Sequence, residues 1–516
     1  MRVACFDSCS GVLQPGRRGA ARPLDGTELR AVPALLAAAS AGAVAWATLH
    51  PQPTAVAGLS IDRVTATVAL LVSGIGTVTF GYAARCLEGH PRRTGFLRAL
   101  AVTVTAAWLL SLADSFVLLV TAWLATGLGV DRMLRFSRER PRTHVIARRK
   151  FIVSRFGDAL LVAAAAVAWT SWGTSGISAT VAAASATEPG PALTSFVLLL
   201  CAAALLKCAQ APFHGWLPET VEAPTPFSAM MHAGIVNAGG ALLVRFAPAV
   251  ARVPEAWIML SAVGTASILL AAPAAWVQAR AKAALAWSTV SQMGFMMVQC
   301  GLCAFPAALL HLVGHGTYKA WSFMSAGEVP PHVRPTSPTF RRAVTLLGLG
   351  TVASVPALHA SAGALGIPHG VAPGELALMS IVAIACGQAW VAWLGTPRRS
   401  VAAAALRLGC ALACSALLPA TACLAYAAAD AWVEPSMPAR PTIDGACAWV
   451  AAAMPVAAVL VLAVAHAWAC SPRHRARPAP LLVHALSGFY VGITVGRALD
   501  RVHSVLRRAL TGVARA

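Results

Sequence analysis

Residues 191–207 read PALTSFVLLLCAAALLK, and residues 208–222 continue CAQAPFHGWLPETVE. Together they form one of several apolar runs that exceed the roughly 18 residues a helix needs to cross a bilayer. Pro212 interrupts this run, because a proline inside a helix removes a backbone hydrogen bond. In a membrane such a break is tolerated only where protein or a water-filled cavity satisfies the freed groups. The stretch therefore predicts a broken membrane helix with Lys207 beside the break.

The composition of the chain is that of a membrane protein. Of its 516 residues, 58% are hydrophobic and only 11% are charged, whereas a soluble domain has about 25% charged residues. These values exclude an ordinary soluble protein, and they exclude disorder, which requires low hydrophobicity. A β-barrel would show short alternating segments instead of long apolar runs. We therefore expect an all-α polytopic protein embedded in a lipid bilayer.

The positions of the charged residues predict the topology. If the N-terminus is cytoplasmic, 34 of the 40 Lys and Arg residues fall in cytoplasmic segments, as the positive-inside rule requires. The formal charge of +21 then reflects topology and does not indicate nucleic-acid binding. Both termini are expected in the cytoplasm, with about fourteen spans between them. The predicted spans are 32–49, 62–84, 98–112, 115–131, 151–172, 191–222, 226–247, 256–276, 281–303, 305–327, 341–365, 374–396, 402–429 and 446–469.

Two lysines lie inside predicted spans. The chain has only four, Lys150, Lys207, Lys282 and Lys319. A lysine at membrane depth costs roughly 2.5–3.5 kcal/mol, and such residues usually mark an ion path. A buried lysine can lose and regain its proton when its partner or hydration changes, whereas arginine stays charged. Lys207 and Lys319 are therefore predicted to carry protons, rather than to extend from a helix end to solvent.

Three histidines accompany the second lysine. His311, His315 and Lys319 follow one another at intervals of four residues, which places them on one helix face over about 12 Å. Imidazoles exchange protons near neutral pH, so this column predicts a proton wire, although a single buried histidine would more often be structural. His232, one helix after Lys207, is predicted either to link the two lysine regions or simply to pack.

Two carboxylates are candidate counter-ions for the lysines. Asp158 begins a predicted span, and Glu219 follows the break after Lys207. An opposite charge close to a lysine favours its charged form. Either carboxylate could instead pair with a nearby loop arginine, so both readings stay open.

A second interruption is predicted in the span 341–365. Pro356 lies there beside His359, five spans after Pro212. Breaks at corresponding places in two halves are typical of transporters built from inverted repeats. We therefore predict inverted five-helix repeats over 98–247 and 256–365, and we include His359 in the proton path.

The cysteines predict no metal site. Cys300 and Cys303 form one CxxC pair, and Cys410 and Cys414 lie one helical turn apart. Zinc sites need a second pair at a matching spacing, and buried cysteines usually act as small apolar residues. We therefore expect no metal, no cofactor and no catalytic residue in this chain.

Several stretches resemble the proton-translocating subunits of respiratory complex I, the subunit L/M/N family, and related cation/proton antiporter subunits. They are residues 207–238, 282–295 (KAALAWSTVSQMGF) and 311–327, and with 114–158 they cover roughly 110–330. The resemblance implies that Lys207 is the central lysine of the first half-channel. It also implies that His311, His315 and Lys319 form the connecting axis.

The chain departs from that family at two positions. There a glutamate follows an early tryptophan and pairs with the first lysine, whereas this chain has Leu124 after Trp123. In subunit L the second broken helix carries a lysine, whereas this chain offers His359. The resemblance to this family therefore does not by itself imply proton pumping by the mechanism of complex I.

A closer resemblance is to the DabB family, the membrane subunits of a bacterial inorganic-carbon accumulation system. That family also lacks the early glutamate. The stretches that carry the resemblance are 82–89 (YAARCLEG), 149–158 (RKFIVSRFGD), 318–323 (YKAWSF) and 483–490 (VHALSGFY).

The resemblance implies an inner-membrane subunit that conducts protons or Na⁺ and drives CO₂ hydration and bicarbonate accumulation. The partner implied is DabA, a large zinc protein similar to β-carbonic anhydrases, which would carry the zinc chemistry. This chain itself is therefore predicted to be a transporter subunit and not an enzyme. The basic segments 132–150 and 470–516 are candidate docking surfaces for it, or ordinary topogenic charge. The alternatives are a proton-translocating subunit of a cation/proton antiporter or NADH-quinone oxidoreductase, and a scaffold that has lost conduction.

These expectations divide the chain into five parts. They are a cytoplasmic N-terminal segment (1–31), N-terminal membrane helices (32–97), an antiporter-like proton-channel core (98–365), C-terminal membrane helices (366–469) and a basic cytoplasmic C-terminal segment (470–516).

Overall fold

The computed structural model describes residues 27–136, 141–327, 338–367, 372–395, 400–437, 443–472 and 480–513. Most of the predicted segment 1–31 and part of 470–516 therefore lie outside the described residues. The α-helices are α1 (Ala31–Leu49), α2 (Arg63–Cys86), α3 (Arg93–Leu112), α4 (Phe116–Leu134), α5 (Pro141–Trp172), α6 (Ile177–Ala186), α7 (Pro191–Lys207), α8 (Trp216–Glu219), α9 (Thr225–Met230), α10 (Ala238–Arg245), α11 (Ala247–Val250), α12 (Pro254–Trp276), α13 (Ala281–Gly301), α14 (Phe305–Ser325), α15 (Phe340–Ala364), α16 (Pro373–Leu394), α17 (Val401–Val433), α18 (Gly445–Ala469), α19 (Pro480–Leu486) and α20 (Val491–Val513).

The remaining elements are short. One antiparallel hairpin pairs β1 (Thr54–Val56) with β2 (Leu59–Ile61) before α2. A π-helical segment, Met231–Ile235, lies between α9 and α10. The 3₁₀ turns are Thr27–Arg30, Thr220–Glu222, Glu434–Ser436 and Gly488–Tyr490.

The helices are those of a polytopic membrane protein. Within the described ranges, eleven helices are long and apolar enough to cross a membrane, or twelve if the bent segment from Pro480 onward counts as one span. Helices also occupy the other predicted spans, but α7 has only 17 residues. Helices α13 and α14 carry Gln, His and Lys side chains that lower their hydropathy. The all-α membrane fold is confirmed, whereas fourteen crossings stay a prediction.

The predicted break in the first half is confirmed. Helix α7 ends at Lys207, and the backbone turns irregularly until α8 begins at Trp216. This connection contains Pro212 together with the polar residues Gln210 and His214 and a glycine, Gly215. The break therefore has several local causes that all act within eight residues.

The predicted break at Pro356 is wrong. Helix α15 runs without interruption through Pro356, and it packs against α16 and α17. Helices α12, α17 and α18 also continue through an internal proline. A proline removes one hydrogen bond from the ladder, and neighbouring helices can hold the remainder in place. The residues next to Pro356, Val355 and Ala357, are apolar, whereas the irregular connection at Pro212 also contains Gly215.

The second half of the core contains fewer helices than predicted. The range 256–365 holds four long helices, α12 to α15. A second unit of five helices would therefore have to include α16 as well. The relation between the halves as inverted repeats stays a prediction.

The segment 225–245 is the most enclosed of the candidate spans. Of its apolar window, 89% is buried, against 11% for α17. It contains α9, the π-helical segment and α10, and it packs against α2 and α14. It therefore positions His232 in the interior, between the regions of the two predicted lysines.

Candidate proton path

Lys207 is held by neutral groups at the last residue of α7. Its Nζ donates to Thr126 Oγ1 at 2.9 Å and lies 3.4 Å from the carbonyl oxygen of Trp123. The same ammonium lies 4.3 Å from the centre of the Trp123 ring, within cation–π range. Among the described residues, no carboxylate oxygen lies within 4.0 Å of Lys207 Nζ. A hydroxyl, a carbonyl and an aromatic face thus surround the Lys207 ammonium.

A buried ion pair lies on the neighbouring helices and was missed by the sequence analysis. Lys150 Nζ lies 3.0 Å from Asp131 Oδ1 and donates to the carbonyl of Gly127 at 2.7 Å. Lys150 is only 3% exposed and Asp131 only 5%. Lys150 was assigned to a cytoplasmic segment, but α5 begins at Pro141 and carries it into the protein. The scarcity of lysine was the available signal, since arginine occupies nearly all other basic positions.

Asp158 lies close to both lysines but pairs with an arginine. Its Oδ2 is 2.7 Å from Arg155 Nη2. Asp158, Lys150 and Lys207 all line one cavity of about 20 Å³, beside Trp216. A cavity of this size has room for about one water molecule. Asp158 therefore shares a site with Lys207, while its direct salt bridge is to the neighbouring basic residue.

Glu219 does not lie beside Lys207. Its carboxylate is 3.5 Å from Arg149 Nη1, and Arg149 also binds Asp500 in α20 at 2.8 Å. Arg148 binds the other oxygen of Asp500 at 2.7 Å. Glu219 thus belongs to a surface network that ties the C-terminal helix to the start of α5, which is the loop-arginine pairing that the sequence left open.

Lys319 is fully enclosed and also has neutral partners. It is 2% exposed, and its Nζ donates to the Leu285 carbonyl at 2.9 Å and to Ser288 Oγ at 2.5 Å, both in α13. One turn and two turns earlier on α14 are His315 and His311. The two imidazole rings are 5.9 Å apart. The predicted column of three groups is therefore present in the structure.

His232 joins this column from the π-helical segment. It is fully buried and stacks on Phe323 of α14 with ring centres 4.5 Å apart. A Cβ added to Gly316 would lie 2.9 Å from the Ala233 carbonyl, so α14 and the π segment touch at this glycine. π-helical turns often occur at functional sites. The sequence analysis did not predict this turn.

Three buried histidines have ring nitrogens without a hydrogen-bond partner among the described residues. They are His214, His232 and His315. Buried polar groups are normally satisfied by protein or by ordered water. His214, inside the break after Lys207, is 0% exposed and was not among the predicted site residues. These rings mark positions where water could bridge the lysine regions.

His311 opens on a large cavity at the far end of the column. Its Nδ1 lies 2.8 Å from Gln299 Oε1, and both residues line a cavity of about 500 Å³. Glu375, Asp430 and Glu434 line the same cavity. Glu375 begins α16 and Glu434 follows α17, at helix ends remote from the arginine-rich connections. The column therefore ends in a mostly apolar cavity that three carboxylates also line, here called the acidic cavity, at the side opposite the arginine-rich connections.

His359 is not brought together with the other predicted residues. It is exposed, and its Nδ1 lies 3.0 Å from the carbonyl of Val355 in its own helix. Its neighbour Leu358 lines the large cavity, but His359 does not. Helix α15 continues without a break through Pro356, and His359 lies on an exposed face of this helix.

The described part of the chain contains no group of three or more His, Cys, Asp or Glu residues that could hold a metal ion. The candidate site is thus a series of lysines and histidines with polar neighbours. Such groups are able to exchange protons with one another, with hydroxyl groups and with water.

Comparison with known proteins extends these observations. Residues 113–396 match the family described as NADH:quinone oxidoreductase/Mrp antiporter, TM. A relative from Halothiobacillus neapolitanus, "Probable inorganic carbon transporter subunit DabB2", is 36% identical over 335 residues, which are 64% of this chain and 60% of the relative. "Probable inorganic carbon transporter subunit DabB" of Hydrogenovibrio crunogenus is 40% identical over 260 residues, half of each chain. The chain thus spans about half to three fifths of the length of these relatives.

More distant similarities have the same character. NADH-quinone oxidoreductase subunit L of Escherichia coli is 32% identical over 274 residues, which are 52% of this chain and 45% of that protein. The Mrp complex of Dietzia sp. DQ12-45-1b is similar in structure, with a TM-score of 0.53 and 27% identity over 95% of this chain and 59% of that chain. A chain of Thermus thermophilus complex I shares the fold, with a TM-score of 0.50 and 21% identity over 90% of this chain and 93% of that chain.

The family match covers more than half of the chain and contains the break after Lys207, the π-helical segment and the column on α14. The chain therefore belongs to the NADH:quinone oxidoreductase/Mrp antiporter family of membrane proteins, and within it resembles the inorganic carbon transporter subunits named DabB.

Proposed function

We propose that this protein is the energy-coupling membrane subunit of an inorganic carbon pump. It conducts protons or Na⁺ inward and thereby drives CO₂ hydration by a zinc-containing partner similar to carbonic anhydrases, of the DabA kind. The observation that carries the proposal is the pair of lysines inside the helix bundle, Lys207 half-buried and Lys319 buried, each held by neutral oxygens. Such an ammonium can give up its proton without leaving a carboxylate unpaired.

The path proposed runs from the acidic cavity to the basic side. His311 meets the cavity, His315 and Lys319 follow on α14, and His232 reaches this column from the π-helical segment. Lys207 then continues toward Asp158 and the basic side. We propose that bridging waters complete the links, since the buried rings lack protein partners within the described ranges.

Coupling requires a partner whose state depends on the passage of the cation. The two basic segments proposed as docking surfaces contact each other, because Arg148 and Arg149 both bind Asp500. A partner bound to this network on the cytoplasmic face would touch the end of the path. The proposed location is the bacterial inner membrane with both termini inside, and the core of the channel is proposed to comprise 98–365.

The test is rescue of a carbonic-anhydrase-deficient bacterium in air by this protein together with the zinc protein encoded beside it. We expect growth that an uncoupler abolishes. Lys207→Ala and Lys319→Ala should each abolish growth while the partner stays membrane-bound, and Asp444→Asn, at an exposed helix start, should not. Normal growth of both lysine variants would contradict the path, and rescue under full uncoupling would contradict energy coupling.

A second candidate is a proton-translocating subunit of a cation/proton antiporter or NADH-quinone oxidoreductase. The similarity to subunit L and to the Mrp complex favours it. Isotope uptake separates the two functions. Uptake of labelled inorganic carbon supports the first, whereas Na⁺ efflux coupled to proton entry without carbon uptake supports the second.

A further inference from the structure

We propose that Asp131 and Lys150 form the proton-exchanging pair between Lys207 and the basic side, in place of the carboxylate absent at Leu124. This inference rests on the proposed function and names two further residues for it. The sequence alone does not indicate that these two side chains meet, because they lie on different helices, α4 and α5.

The pair is enclosed, and each member depends on the other. Asp131 Oδ1 and Lys150 Nζ are 3.0 Å apart, and both residues are at least 95% buried. Loss of one partner from a buried ion pair leaves an uncompensated charge, which is strongly destabilising, whereas a neutral acid beside a neutral amine carries no such penalty. The pair can therefore persist in either of two forms that differ by the position of one proton.

Asp131 lies on the same face of α4 as Leu124. Seven residues separate them, which is close to two turns and about 10 Å along the axis. Gly127 lies on this face between them and accepts the hydrogen bond from Lys150. A Cβ at Gly127 would lie 3.2 Å from Arg155 Nη2, so the glycine leaves room for the basic side chains that converge here. The carboxylate of Asp131 therefore lies on the same helix face as Leu124, but closer to the basic side.

Lys150 and Lys207 line the same cavity, which holds about one water molecule. The step proposed begins when Lys150 Nζ gives a proton to Asp131 Oδ1 and the pair becomes neutral. The carboxyl group releases that proton to the basic side as the next proton reaches the Lys150 amine, so that neither member of the pair is left charged alone. The Lys150 amine takes a proton from the water, the water takes one from the Lys207 ammonium, and the ion pair is restored. One proton has then moved from Lys207 to the basic side.

The decisive variant is Lys150→Arg, because arginine keeps the charge and the ion pair but does not give up a proton. The assay uses inverted membrane vesicles that contain this protein with its partner, and it follows uncoupler-sensitive proton movement with a pH-sensitive dye. We expect at least a tenfold loss for Lys150→Arg at normal membrane levels, and a loss of the same size for Asp131→Asn per amount of protein in the membrane, since the loss of one partner also lowers stability. Asp131→Glu should keep at least half of the activity.

A double variant tests the displaced position directly. Leu124→Glu in the Asp131→Asn background returns a carboxylate to the same helix face, and we expect it to regain part of the lost conduction. Asp444→Asn serves as the carboxylate control and should conduct normally.

The outcomes separate the two claims. If Lys150→Arg or Asp131→Asn conducts as the wild type does, the pair is merely structural and the inference is overturned. If Lys150→Arg and Asp131→Asn lose conduction while neither Asp131→Glu nor the double variant conducts, it is also overturned, since a carboxylate then does not suffice. If wild-type vesicles show no uncoupler-sensitive movement of any cation, the proposed function itself fails.

Discussion

The surroundings of Lys207 and Lys319 differ in charge. Near Lys207 the structure collects two further cations, Lys150 and Arg155, and two carboxylates, Asp131 and Asp158. Near Lys319 the partners are a backbone carbonyl and a serine hydroxyl of α13, with histidine rings on the same helix. In the first region, protons can move between the region's own groups and so redistribute its charge. The second region can only pass a proton along.

We therefore expect the two lysine regions to have different roles in conduction. Coulomb interactions in a poorly hydrated interior are strong, so a change of protonation at the ion pair alters the free energy of the charge on Lys207. The histidine column contributes groups that accept and donate without a fixed charge. We infer that the region of Lys207 controls passage and that the region of Lys319 conducts.

The largest effect is expected when arginine replaces Lys207 or Lys319. Lys207→Arg and Lys319→Arg keep the positive charge but remove proton exchange, so conduction should fall at least tenfold in both. At Lys319 the larger guanidinium must also fit a site only 2% exposed, so the membrane level should fall there and stay normal for Lys207→Arg. The measurements are vesicle proton movement and immunoblots of membranes. Equal membrane levels in the two variants would contradict the difference in enclosure.

An intermediate effect is expected at the contact between the column and the π-helical segment. Gly316→Ala places a Cβ 2.9 Å from the Ala233 carbonyl, whereas Gly314→Ala meets nothing within 4 Å. Overpacking of a well-packed interior costs about 1–3 kcal/mol. We expect a lower thermal unfolding temperature and slower conduction for Gly316→Ala alone, measured on the detergent-purified complex and in vesicles. If Gly314→Ala were equally affected, the contact would not be the cause.

The smallest effect is expected at His359. Because this ring faces outward and contacts its own helix, His359→Gln should conduct within about twofold of the wild type. His315→Gln, on the column, provides the comparison and should lose more, since an amide does not exchange protons in this pH range. Growth of the carbonic-anhydrase-deficient strain in air measures both. A loss at His359 equal to that at His315 would return His359 to the path.

The sequence was informative where the signal was local. The apolar runs, the break at Pro212 and the four-residue spacing of His311, His315 and Lys319 all depend on residues close in the chain, and the structure contains each of them. The predicted break at Pro356 failed because the effect of a proline depends on the helices packed around it. The prediction that His359 belongs to the proton path rested on the same break, and the continuous helix leaves this ring facing outward.

Other features depend on contacts that no local pattern specifies. The Asp131–Lys150 pair joins two helices, and Lys150 resembled one more topogenic charge in an arginine-rich stretch. The π-helical turn at His232 has no signature in residue types. Glu219 lies near Lys207 in the chain but pairs with Arg149, because the break redirects the backbone after Pro212.

The contacts of α20 determine how a force on this helix would reach the interior of the protein. A Cβ added to Gly215 would lie 2.7 Å from Gly492 Cα, so the backbone of the last segment rests directly on the end of the break. The same helix holds Arg149 through Asp500, and Arg149 precedes Lys150 in the chain. A tilt of α20 would therefore shift the ion pair and the broken helix together, so that a mechanical force on this helix reaches both at once.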